Sequence, residues 1–146
     1  MKFDELSEQA IQRMSAADDI ITALESRYTP GLGWTERQIL VTDNDVEEWS
    51  ERVGLPSDIL YDALALRLAL GFHSNALDFG FCDQVVNELH GVIMLRNEGR
   101  PELFWSVFLA FDAGEYYHNG DRNNDPVETY TRPKIEQIVK RHTPRR

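Results

Sequence analysis

Apolar residues recur at steps of three and four along almost the whole chain, the period of helices with one buried face. Phe3, Leu6, Ala10, Met14, Ala17, Ile21, Leu24 and Tyr28 fall on one stripe of a long first helix. The stretch TPGLG at 29–33 ends it, since Pro and Gly cannot continue a helix without cost. Thr35 and Gln38 have the spacing of a capping box and predict a short helix. Residues 38–42 alone have strand character, and one strand has no partner.

Asp43 predicts the next helix start, with Val46, Trp49 and Val53 on the inner face and Gly54 at the end. Ser57 caps a helix to about residue 72, and Asp78 caps another to about residue 95. Pro101 suits the first turn of a helix reaching about residue 117. Asp125 as cap, Pro126 and Glu128 start a last helical region, which Pro133 interrupts before it resumes toward His142. Two segments, 60–72 and 103–111, are apolar nearly all round, as helices at the middle of a bundle are. The predicted fold is all-α: a compact single-domain bundle of about five to seven helices, two of them central and apolar.

A chain of 146 residues can bury a core of its own, and no linker or repeat divides it, so residues 1–146 are expected to form one domain. Cys82 is the sole cysteine, which excludes an internal disulfide and suits a reducing compartment. The N-terminus, MKFDELSEQ, is acidic where a signal peptide would be basic. The run 103–111 is far short of the roughly 20 residues that span a bilayer. These features predict a cytoplasmic protein without a membrane partner.

Charge changes the picture most. The net charge is −10, and residues 1–62 hold 14 acids against 5 bases. Residues 132–146 reverse the sign, with six bases against Glu136, and 143–146 read as a flexible basic tail. An acidic body repels phosphate, so nucleic acid is not an expected direct partner, whereas a basic protein is.

The run 43–62 carries Asp43, Asp45, Glu47, Glu48, Glu51, Asp58 and Asp62 against Arg52 alone, with Trp49 among them. Acids in a first turn suit the helix dipole, but this surplus exceeds capping needs. It forms either a solvated helical face or a patch that docks a basic protein. Stand-alone acidic domains such as immunity proteins and nuclease inhibitors work in the second way; that likeness is one of physical type and rests on no motif.

Candidate chemistry is sparse. Asp121, Asn123 and Asp125 open like a calcium loop, but Pro126 stands at the sixth position and Arg132 at the twelfth, where that loop needs Gly and a bidentate Glu. Turn and cap formation accounts for the same residues. Glu115 and His118 share a helix face at E-x-x-H spacing, and Asp83, Asn87 and His90 form a polar stripe on the 78–95 helix. If the two met, Asp83, His90, Glu115 and His118 would compose a small metal or acid–base site. Otherwise the stripe is the wet face of a helix whose dry face is Phe81, Cys82, Val85, Val86, Leu89 and Ile93. No cofactor motif is present. Arg67, set among Leu and Ala, needs a carboxylate from another helix, with Asp112 or Asp83 expected, or a path to water. Three readings follow: an acidic binding domain for a basic protein, as an inhibitor or immunity-type partner; a small metal-dependent or acid–base enzyme; or a structural homo-oligomer joined through 103–111.

Overall fold

A computed structural model describes residues 3–33 and 35–142, with side chains from Ala10 onward. The Phe3 and Leu6 side chains and the tail 143–146 lie outside the described residues. Six α-helices follow in order: α1 (Phe3–Arg27), α2 (Asp43–Val53), α3 (Ser57–His73), α4 (Phe79–Leu95), α5 (Glu102–Asp112) and α6 (Arg132–His142). The described residues contain no strand, and the fold is the expected all-α bundle.

The centre is α3, which packs against α1, α2, α4, α5 and α6. Its sequence suits this, because Leu60, Tyr61, Leu64, Leu68 and Phe72 bury one side completely, while Ile59, Ala63, Leu66 and Leu70 make the other side largely apolar and partly covered. The second interior helix is less clear-cut than expected. α5 buries Phe104, Val107, Phe108 and Phe111, yet Leu109 is 45% exposed on its outer side. α4 is as deeply buried, its polar Asp83 and Gln84 included, because hydrogen bonds compensate them there. Along α1, Ala17, Ile20, Ile21 and Leu24 enter the core, whereas Ala10 is exposed and Met14 half-buried. Between Ala10 and Ala16 no side chain of that helix is fully buried.

Several helix starts differ from expectation. Thr42, not Asp43, caps α2: its hydroxyl accepts from the Asp45 N–H, and the Asp45 carboxylate accepts from the Thr42 N–H at 3.0 Å. Pro56 occupies the start of α3, and the Ser57 hydroxyl donates to Glu98 instead of capping. Asp78 caps α4 as expected, and Gly54 closes α2 in the left-handed conformation. α5 stops at Asp112 rather than reaching 117. A single wide, π-type turn, Val127–Thr131, precedes Pro133 and absorbs the interruption that its missing N–H imposes.

The short helix expected from Thr35 and Gln38 is absent; the amides of Glu36 and Arg37 merely turn back to the Gly33 carbonyl. Residues 38–42 run extended across α4, whose side chains supply the bonds that a second strand would. Gln84 donates to the Gln38 carbonyl at 2.8 Å, and the Glu88 carboxylate accepts from the N–H groups of Leu40 and Val41 at 2.7 and 2.8 Å. These bonds let the Leu40 and Val41 side chains enter the core without stranding their backbone. Glu88→Ala is expected to lower stability by about 2–3 kcal/mol, with Glu88→Gln retaining part of it. Urea denaturation checks this, and the Leu40 and Val41 amides should exchange faster than the rest of the core.

Candidate functional site

The acidic run 43–62 is divided by the fold into anchored and outward members. Asp43 and Glu47 accept from Arg96 at 2.9 and 3.0 Å, Asp45 from Arg27 at 3.2 Å, and Glu48 lies 3.8 Å from Arg52. Arg96 also donates to Glu98 at 3.1 Å, so one guanidinium ties α2 to the end of α4. Burial alone would raise the Glu98 carboxyl, but hydrogen bonds from Ser57 and Tyr61 and the Arg96 charge outweigh it and hold the group below its usual range. Trp49 does not stand in the patch: it is 3% exposed and packs in the core, because it lies on the same α2 face as Val46. Glu47, Glu48, Glu51 and Asp58 face solvent. Asp62 is half-buried and accepts from the Phe104 N–H at 2.8 Å, at the start of α5. Burial, assisted by the Asp58 and Glu102 charges, pushes its carboxyl above the ordinary range.

The second candidate set is only partly assembled. Asn87 donates to Glu115 at 2.8 Å and to Asp83 at 3.2 Å, which brings those two carboxyls together across α4 and the turn after α5. Asp83 is buried, not on a wet face. Burial first, then its hydrogen bond to Glu115 and that group's charge, drive its pKa far above the carboxylate range, with Arg37 opposing. Burial and the neighbouring carboxylate thus favour the protonated form of Asp83. Burial and the same Glu115 also raise Asp112.

The histidines go elsewhere. His90 lies against Trp105 and Phe108, with ring centroids 5.6 and 4.6 Å away, and burial lowers its pKa. His118 sits between Tyr116 and Tyr130, and its Nε2 lies 2.8 Å from the Ala113 carbonyl. Among the described residues, no three His, Cys, Asp or Glu side chains gather as ligands for a metal. In the loop 121–125, Asp121 accepts from the Asn123 N–H and the Asn124 amide, while Asp125 accepts from the Val127 N–H: turn and cap chemistry. Arg67 pairs with Asp18 of α1, not with Asp83 or Asp112, because the α1–α3 contact places Asp18 beside it.

The fold also forms a feature that periodicity did not disclose. A groove of about 780 Å³ lies between residues 10–18 of α1 and the outer side of α3, with Leu103 and His142 also in its lining. Ile11, off the predicted stripe and 66% exposed, is the signal in the sequence that could have pointed to it. Comparison with protein-family models, characterised proteins and solved structures finds no match.

Two outcomes test the carboxyl pair. The folded state holds the Asp83 proton to higher pH than the unfolded chain does. Its stabilising contribution is complete below about pH 4 and is lost as pH rises through the folded titration, with a slope of up to about 1.4 kcal/mol per pH unit. Asp83→Asn should therefore stabilise the protein at neutral pH and flatten that slope, as followed by urea midpoints across pH. Glu115 is positioned through Gly114, where a Cβ would collide with Thr131 Oγ1 and stand 2.8 Å from the Phe79 ring. Thr131 is itself fixed by its 2.8 Å bond to the Ala110 carbonyl. Gly114→Ala is expected to cost about 1–3 kcal/mol, measured the same way.

Proposed function

We propose that the chain is a non-catalytic acidic protein-binding domain of the cytoplasm, an inhibitor or immunity-type partner of a basic protein. The observation that carries this reading is the division of the acidic run. Arg27 and Arg96 fix Asp43, Asp45 and one side of the exposed Glu47 on α2, while Glu51 and Asp58, with the loosely paired Glu48, face solvent on α2 and the start of α3. Such a surface needs little ordering before it meets a cationic one, and its field speeds the encounter. No described helix is long and apolar enough to cross a membrane.

A second reading, an acid–base or metal-dependent enzyme, draws on the carboxyls of Asp83 and Glu115 that Asn87 bridges. It asks His90 and His118 to leave the aromatic rings that hold them. A catalytic activity that disappears with Asp83→Asn, or with a chelator, would establish it in place of the first.

The binding reading is tested by capture from native lysate at low and moderate salt, using the wild-type chain and the triple variant Glu47→Lys, Glu48→Lys, Glu51→Lys. A basic protein should be retained by the wild type, released as salt rises, and lost at least about tenfold with the variant. Retention that ignores both salt and charge reversal refutes the proposal.

A further inference from the structure

The groove between α1 and α3 has an apolar floor and an acidic end. Its floor is formed by Met14, Ile59, Ala63, Leu66 and Leu70, with Ile11 on the rim. None of the four on α3 belongs to that helix's fully buried set, since the groove lies between them and residues 10–18 of α1. Where Leu103 and His142 join the lining, Asp62 feels the charges of Asp58 and Glu102, opposed by His142. Asp18, also in the lining, is already paired to Arg67, and Arg13 supplies the lining's other cation. The apolar stretch from Ile59 to Leu70 covers about 16 Å of helix axis, about three turns.

From these features we infer that the groove seats one amphipathic helix of a basic partner, apolar stripe inward and Lys or Arg toward Asp58, Asp62 and Glu102. This rests on the basic-partner reading above and names the element of the partner that enters. Helix-in-groove docking needs apolar anchors at i, i+3 or i+4 and i+7, which a floor of this length accommodates. Charge decides against a second copy of the chain as the occupant. The whole chain has a net charge of −10, so two copies repel where a cationic helix is drawn in.

The probe is a synthetic helix of leucine and lysine, about four turns long, with its leucines on one stripe. Beside it stands a scrambled peptide of identical composition that cannot form the stripe. Binding to the full chain is measured by calorimetry, and melting temperature confirms that each variant is folded. The striped helix should bind, and the scrambled one at least about tenfold more weakly. Ile11→Lys, on the rim, should weaken the striped helix by at least about tenfold. Ile39→Lys adds the same charge at another exposed isoleucine, outside the groove, and should change binding less than about twofold.

Equal binding of the two peptides, or equal effects of the two lysine variants, overturns the groove proposal but leaves the basic-partner reading standing. Absence of binding by both peptides counts against both. A concentration-dependent dimer that Ile11→Lys disperses, seen by light scattering, gives the groove to a second copy and also overturns the proposal.

Discussion

One constraint organises this protein: α3 has no side that can face water for its whole length. Leu60, Tyr61, Leu64, Leu68 and Phe72 line one side, each removing apolar area worth about 2 kcal/mol when buried, and Ile59, Ala63, Leu66 and Leu70 make the opposite side apolar as well. Cover must therefore come from every direction, and α1, α2, α4, α5 and α6 supply it. The order of the chain then decides which helices are themselves covered. α4 and α5 lie close to α3 and to each other, whereas α1 buries side chains from Ala17 to Leu24 and leaves Ala10 and Ile11 exposed. The groove lies where residues 10–18 of α1 cover the partly buried side of α3 incompletely.

Polar groups near this core fall into two kinds. Glu88 and Glu98 each collect several donors: two backbone amides and Gln84 for the first, Ser57, Tyr61 and Arg96 for the second. A carboxylate so surrounded exchanges water for fixed dipoles and holds its segment in register. Asp83 and Glu115 are the opposite case, two acids with one amide donor, Asn87, between them. Burial and the neighbouring like charge both disfavour the ionised form of Asp83. The first kind fastens the loops at 38–42 and 96–98. The second makes the turn after α5 the acid-dependent part of the bundle.

Helix existence was legible because it depends on periodicity and punctuation, both local: the TPGLG break, Asp78 and Gly54 all act where the sequence places them. What escaped depends on contacts distant in the chain. The 38–42 segment needed no strand, because Glu88 and Gln84, more than 40 residues later, satisfy it. Arg67 met Asp18, a pairing fixed by how α1 crosses α3 and not by the spacing of either residue. The polar stripe on α4 was visible, but whether His90 would turn toward Asp83 or toward Trp105 depended on where α5 lies. In the acidic run, the charges could be counted, while their division into anchored and outward members required knowing that Arg96 and Arg27 approach α2. Trp49 was read both as an inner-face residue in step with Val46 and as a member of the acidic patch; its burial bears out the first reading and overturns the second.

The anchored arginines bear on how an acidic surface can coexist with a stable fold. Fourteen acids in the first 62 residues repel one another, and repulsion of that kind weakens a compact state. Arg27, Arg67 and Arg96 each meet acids from that half at a helix junction, so the charges that neutralise also cross-link α1, α2, α3 and the end of α4. Exposed pairs contribute little one at a time, but Arg96 binds three carboxylates while three-quarters of its side chain is covered, which lessens solvent screening. Neutralisation is thus concentrated where helices join, and the unneutralised acids are left to the outer faces. A protein arranged for stability alone would spread its bases among its acids; this one keeps the base of α2 neutral and its outer turns negative.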